Sequence, residues 1–98
     1  MAVSNDNEIL FTGRPIVFGE LLFDCFPDGT NILGGAPFNV AWHLQGFGLQ
    51  PLLVSRIGND APGESALDTM RKWGMDISNI QNDPEHPTGQ VQVTIEAG

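Results

Sequence analysis

Asp24 stands between Phe23 and Cys25-Phe26, a carboxylate in an otherwise apolar stretch. Two readings are open. Either it is an exposed residue that initiates the following turn, or it is buried and acts as a hydrogen-bond acceptor, because a carboxylate taken out of water without partners is costly. Gly34-Gly35 followed by Asn39 is the second candidate. Two residues without side chains let a ligand touch the backbone, beside the start of a helix whose first N–H groups lack intrahelical partners. The plain alternative is a loop turn with Pro37 at the helix start. The remaining reactive residues read as structural. His43 falls beside the apolar stripe of a helix and is expected half-buried rather than as a ligand. His86, near Asp83 and Glu85 in a loop, reads as solvated charge rather than a metal site. Cys25, the one cysteine, has no base or helix N-terminus near it in sequence and reads as an inert thiol. A single cysteine also excludes an intramolecular disulfide and a cysteine zinc cage.

Two glycine-containing stretches imitate nucleotide motifs and fail on their details. Gly46-Phe47-Gly48 lies at the end of a helix, with Pro51 where the third glycine of a dinucleotide fingerprint belongs. The stretch Gly58 to Ser65 follows a strand and precedes a helix, but Glu64 stands where a P-loop needs its phosphate-binding lysine. A glycine turn leading into a helix is the reading that remains.

The elements that must position these residues follow from pattern. Residues 1–14 read as a disordered lead-in. Pro15 to Gly19 is a short apolar run ending in glycine, as in a strand buried on both faces of a parallel sheet. Leu21 to Phe26 continues extended, and Pro27-Asp28-Gly29 turns the chain into a hairpin. Pro37 in a first turn and the spacing of Val40, Leu44 and Phe47 predict a helix closed by Gly46 and Gly48. Leu52 to Ile57 is again strand-like. Asp60 and Glu64 near the start of the next helix and Arg71 and Lys72 in its last turn match the helix dipole, with Leu67, Met70 and Trp73 as its stripe and Gly74 as its stop. A loop from Asn82 to Pro87 precedes a strand from Gly89 to Glu96, in which Val91, Val93 and Ile95 alternate with polar residues. The order strand, hairpin, helix, strand, helix, strand predicts α/β layering with right-handed crossovers. So few buried strands make a poor sheet, and the chain is expected to supply part of a larger layered domain.

Composition limits the partners. The 98 residues give one small domain, and 41% apolar residues with 12 glycines exclude a disordered tail. Twelve acidic against four basic residues leave a net charge of -8, and the four bases do not cluster, so neither nucleic acid nor an anionic membrane surface is an expected partner. No stretch approaches the roughly 18 apolar residues of a membrane span and no signal-peptide pattern opens the chain, so a cytoplasmic location is expected.

Gly19-Glu20-Leu21-Leu22-Phe23-Asp24, Gly34-Gly35-Ala36-Pro37-Phe38-Asn39-Val40-Ala41, Gly58-Asn59-Asp60 with Gly63, and Pro87-Thr88-Gly89 together resemble the N-terminal portion of the phosphofructokinase B (ribokinase-like) carbohydrate kinases. The four motifs occur in the family's order and cover the chain from Pro15 to Gly98. The first two look most like the fructokinase branch. The resemblance implies a Rossmann-like α/β/α ribokinase fold with a β-sheet lid, whose strands would come from Leu22 to Ile32 and Gly89 to Glu96. It implies that residues 15–98 are the sugar-binding and lid portion of an incomplete kinase domain, with a ketohexose such as fructose as substrate. Asp24, Gly34, Gly35 and Asn39 match sugar-contacting positions, Asp24 and Asn39 bonding hydroxyls and the glycines admitting the ring. ATP and Mg2+ are implied as cofactors, with their sites mostly outside these residues. The family's G-A-G-D segment, which carries the catalytic base, is absent, so the 98 residues alone are expected to be inactive. A homodimer through the lid strands is also consistent with the family. The competing expectation is a non-catalytic interaction module that pairs with another chain through its exposed lid strand.

Overall fold

The computed structural model describes residues 13–95. Along the chain these form β1 (Ile16–Phe18), β2 (Leu22–Cys25), β3 (Asn31–Gly34), α1 (Ala36–Gly46), β4 (Leu52–Gly58), α2 (Ala61–Lys72), β5 (Ile80–Asp83) and β6 (Gly89–Gln92). They make two three-stranded sheets. The body is a parallel sheet of order β1-β4-β5, and the smaller sheet, of order β3-β2-β6, pairs β2 antiparallel with β3 and parallel with β6. The fold is α/β, with parallel and mixed sheets.

Local chemistry accounts for most boundaries. The β2–β3 hairpin turns where Gly29 N donates to Phe26 O (3.0 Å) and Asp28 Oδ1 accepts from Thr30 N (2.8 Å), the side-chain turn that Asp favours. Gly35 precedes α1 with φ of 100°, a conformation glycine adopts without the penalty of a Cβ, and Pro37 occupies the first turn. Asp60 caps α2 by accepting from Gly63 N, and Gly74, at φ of 81°, stops it. Both β1-to-β4 and β4-to-β5 step in the same direction across the sheet, so two right-handed crossovers put α1 and α2 on one face. There Leu53 and Ile57 pack with Ala41, Ala66, Met70 and Phe38, and the core continues onto Leu21, Phe23 and Cys25 of the small sheet. Trp42 and Trp73 stack at 4.9 Å, joining the two helices, and Trp73 Nε1 donates to Trp42 O. Arg14 ties the lower edge by an ion pair with Asp76 and bonds to the carbonyls of Gln50 and Pro51. Residues 1–12 of the expected lead-in lie outside the described residues.

Five sequence expectations need correction. The run around β1 is not buried on both faces: Ile16 is 70% and Phe18 81% exposed, because the helices cover one face only and Ile16, Phe18, Leu52 and Val54 line the other. The stripe Val40, Leu44, Phe47 is not the inward face of α1; Phe38 and Ala41 are buried, whereas Val40 and Phe47 are exposed. The helix is apolar on several sides, so its period carried no direction. His43, expected half-buried, is exposed. Finally, Ile80–Asp83 forms β5, where the sequence suggested a loop from Asn82, and β6 ends at Gln92 rather than Glu96, which lies outside the described residues.

The bare face of the body has a measurable consequence. The 98-residue chain is expected to associate with rising concentration in sedimentation velocity, and Phe18→Glu to shift it toward monomer, since a contiguous apolar face seeks cover. Monomer at every concentration for the parent chain would show that the face tolerates water.

Candidate functional site

The three strands of the small sheet are aligned along one row of residues. Leu22 is in register with Gly34 on one side and with Gly89 on the other, so all three strands begin or end at the same level. Alternation places Leu22, Asp24, Ile32, Gly34 and Val91 on one face of this sheet and Phe23 and Leu33 on the other, where they pack on the core. Asp24 is half-buried, and among the described residues no partner bonds its carboxylate. Its Oδ2 lies 3.4 Å from the point a Cβ would occupy on Gly34, so a side chain at position 34 would stand in contact with the carboxylate. Gly35 is equally close to backbone: a Cβ there would sit 3.1 Å from Glu20 O.

Two concavities adjoin this row. One, of about 440 Å³, opens at the carboxyl end of β1 beside the middle of β4 and is lined by Phe18, Gly19, Glu20, Val54, Ser55, Arg56 and Gln81. It reaches Gly35 through Glu20. The other, of about 520 Å³, lies between the core-facing side of the small sheet and the helices, and Asn39, His43, Trp42, Ser65 and Thr69 line it with Phe23 and Leu33. The structure therefore brings Asp24, Gly34 and Gly35 together, and sets Asn39 one turn into α1, on the cavity facing the opposite side of the sheet. Cys25 is buried in β2, its Sγ 3.9 Å from Phe23 O.

Sequence reading missed the polar knot beneath the row. Thr88, only 3% exposed, donates its hydroxyl to Asp60 Oδ1 (2.6 Å) and its amide to Asp60 Oδ2 (2.9 Å), and its Oγ1 accepts from Gly58 N (2.9 Å). The Thr88 hydroxyl, then its amide, then the Gly63 amide hold the Asp60 carboxyl below its ordinary range. Glu20, Arg56 and Gln81, which line the first cleft, were also not singled out; only Glu20 had a signal, as part of the first motif. At the end of β5, Asp83 Oδ2 contacts His86 Nδ1 (2.8 Å) of the following loop and Arg56 (3.3 Å). The amide of Glu85 leads in keeping the Asp83 carboxyl low, with His86 and Arg56 adding to it.

The described residues do not fit the nucleotide and metal that the sequence resemblance implies. No group of three His, Cys, Asp or Glu able to hold a metal occurs among them. The glycine turn before α2, the one phosphate-loop imitation, is filled by the Asp60 carboxylate, which already takes the Gly63 amide.

Comparison with known proteins gives a consistent result. The sequence profile of the pfkB family carbohydrate kinases matches residues 24–98. A fructokinase of Klebsiella pneumoniae is 29% identical over 89 residues, 87% of this chain and 29% of that protein. A 2-dehydro-3-deoxygluconokinase of Bacillus subtilis is 40% identical over 58 residues, 58% of this chain and 18% of the relative. Among solved structures, the fructokinase of Vibrio cholerae in its fructose, ADP and calcium ion bound form superposes with a TM-score of 0.76 at 31% identity, covering 87% of this chain and 29% of that one. The Halothermothrix orenii fructokinase does so at 0.77 and 30% identity, over 82% and 33%. The chain thus spans about a third or less of the length of the relatives it matches.

Proposed function

The chain belongs to the pfkB family of carbohydrate kinases, and from that premise we propose that it is the sugar-binding and lid portion of an ATP-dependent, fructokinase-like enzyme. The observation that carries this reading is the half-buried Asp24 carboxylate, which lacks a bonding partner among the described residues and lies beside Gly34. A solvent-accessible acceptor free of protein partners is available to the paired hydroxyls of a polyol ligand. Asp24 takes hydroxyls on its face of the sheet and the Gly34-Gly35 link beside it admits the ring close to backbone, while Asn39, in the first turn of α1 on the cavity across the sheet, does not share that face. Asp24 and the glycine link bind and orient the sugar. The base that takes the hydroxyl proton and the ATP and Mg2+ sites belong to parts of a family protein not represented in residues 13–95. A cytoplasmic setting is part of the same proposal; among the described residues no helix is long and apolar enough to cross a membrane.

The test is an ATP-coupled assay of a family-length protein carrying this segment, against fructose, ribose and 2-dehydro-3-deoxygluconate. Preference for fructose is expected; turnover of another sugar alone would overturn the substrate, and turnover of none the kinase reading. The 98 residues assayed by themselves are expected to match a no-protein control, because positioning without the base and the charge-stabilising groups leaves the barrier high.

One observation favours a second reading. Along its four residues β6 is exposed, and it forms an outer strand of the small sheet. Such an edge suits strand addition by another chain, either a second copy, which gives the lid-to-lid homodimer, or a different partner served by a non-catalytic module.

A further inference from the structure

The chain passes between body and small sheet at three places: Gly19 to Leu21, Gly35, and Thr88. The first two contain glycines at φ of 155° and 100°. Neither passage has a side-chain hydrogen bond among the described residues. The third differs. Thr88 is buried, spends both its hydroxyl and its amide on the carboxylate of Asp60, and receives the Gly58 amide, so four polar groups close on one another with no water needed. Asp60 at the same time caps α2 through Gly63, which fastens the knot to a twelve-residue helix of the body. The fit is close: a Cβ on Gly58 would lie 2.5 Å from Thr88 N.

The next residue, Gly89, opens β6. That strand buries nothing of its own; all four residues are exposed, and its one strand partner is β2, with Val91 opposite Asp24. Pairing to β2 and the Thr88 knot are therefore what hold β6 in place. Phe23 and Cys25 seat β2 on the core, but pairing to β2 alone would leave the root of β6 free of the body. The knot removes that freedom.

We propose that Thr88 and Asp60 form a pin that fixes the root of β6 to the start of α2, and through the β6–β2 ladder sets where Asp24 stands relative to the body. Both are positioning residues: they do not reach the Asp24 face of the sheet, and they act by denying it alternative placements. The naming of Asp24 as the group positioned rests on the sugar-binding reading above; the pin itself does not.

Thr88→Val keeps the shape and removes the hydroxyl, leaving the Gly58 amide without its partner and Asp60 Oδ1 with the Gly63 amide alone. Thr88→Ser keeps every bond. Asp60→Asn retains an oxygen for Gly63 and the Thr88 hydroxyl but turns an amide toward the Thr88 N–H, so it breaks the backbone bond of the pin while sparing the helix cap. Amide hydrogen exchange is read in the 98-residue chain without sugar, comparing β2 and β6 with Leu53 and Ile57 of β4. With Thr88→Val and with Asp60→Asn, the β2 and β6 amides are expected to exchange roughly 10-fold faster while β4 is unchanged, since loss of a buried bond lowers the local opening energy where it acts. Thr88→Ser is expected to match the parent. Unchanged exchange in β2 and β6, acceleration shared equally by β4, or a Thr88→Ser result no better than Thr88→Val would each overturn the pin. If Thr88→Val does not fold, the Asp60→Asn and Thr88→Ser pair gives the same decision. Failure of the fructose assay would remove the sugar reading and leave this result standing, because no sugar enters the measurement.

Discussion

Asp24→Ala, placed in a family-length protein that carries this segment, is expected to lower kcat/KM for fructose by about 100-fold or more, with Asp24→Asn costing at least ~10-fold. Two charge-assisted bonds from an ionised acceptor to sugar hydroxyls contribute about 1.5–3 kcal/mol each, and truncation to alanine removes both. Asparagine keeps one acceptor oxygen and so loses less. The same contacts orient the reacting hydroxyl, so kcat falls along with sugar affinity, whereas the KM for ATP stays near its parent value. Steady-state kinetics with each substrate varied separately provide the check. Were Asp24 only an exposed strand residue, Asp24→Asn would change stability by ~0.5 kcal/mol or less and leave the sugar kinetics intact, and that result would take Asp24 out of the site.

The largest expected effect on stability falls at Gly63. A Cβ there would run into the Gly58 carbonyl and lie 3.0 Å from both Asp60 Oδ1 and Thr88 Oγ1. The Gly58 carbonyl is backbone and the two side-chain oxygens are bonded to each other, so relief requires moving β4 away from α2 or breaking the Asp60–Thr88 bonds. Gly63→Ala is therefore expected to destabilise by at least ~2 kcal/mol, against the small gain glycine-to-alanine exchange brings inside an unhindered helix. Gly13→Ala, where a Cβ meets nothing within 4 Å, serves as the control and is expected to be near neutral. Urea denaturation followed by circular dichroism compares the two; equal midpoints for both variants would mean that the knot is slack.

The knot also shows why two motifs far apart in sequence belong together. Gly58-Asn59-Asp60 with Gly63 and Pro87-Thr88-Gly89 were legible as separate signatures, yet nothing in either implied contact. Asp60 and Thr88 stand 28 positions apart, and only the crossover through α2 and β5 brings them together. What these residues do for the fold, capping a helix and anchoring a strand with one carboxylate, is decided by that meeting.

The sequence by itself determined the features that depend on a few neighbouring residues. The Asp28 turn, the Pro37 and Asp60 helix starts and the Gly74 stop are set by local hydrogen bonding and by which φ each residue tolerates, so they were readable in order along the chain. The four motifs likewise pointed to the family to which the profile assigns residues 24–98. Tertiary structure decided what depends on partners remote in sequence. It chose the Phe38 and Ala41 side of α1 over the Val40 and Phe47 side, because a helix apolar on several faces buries whichever one meets the sheet. It made a strand of the polar segment Ile80–Asp83, whose bonds come from the register with β4 rather than from its own composition. It set Asp24 beside Gly34 through the β2–β3 register and placed Asn39 of α1 on the cavity lined by Phe23 and Leu33, which the pleat sends to the face opposite Asp24.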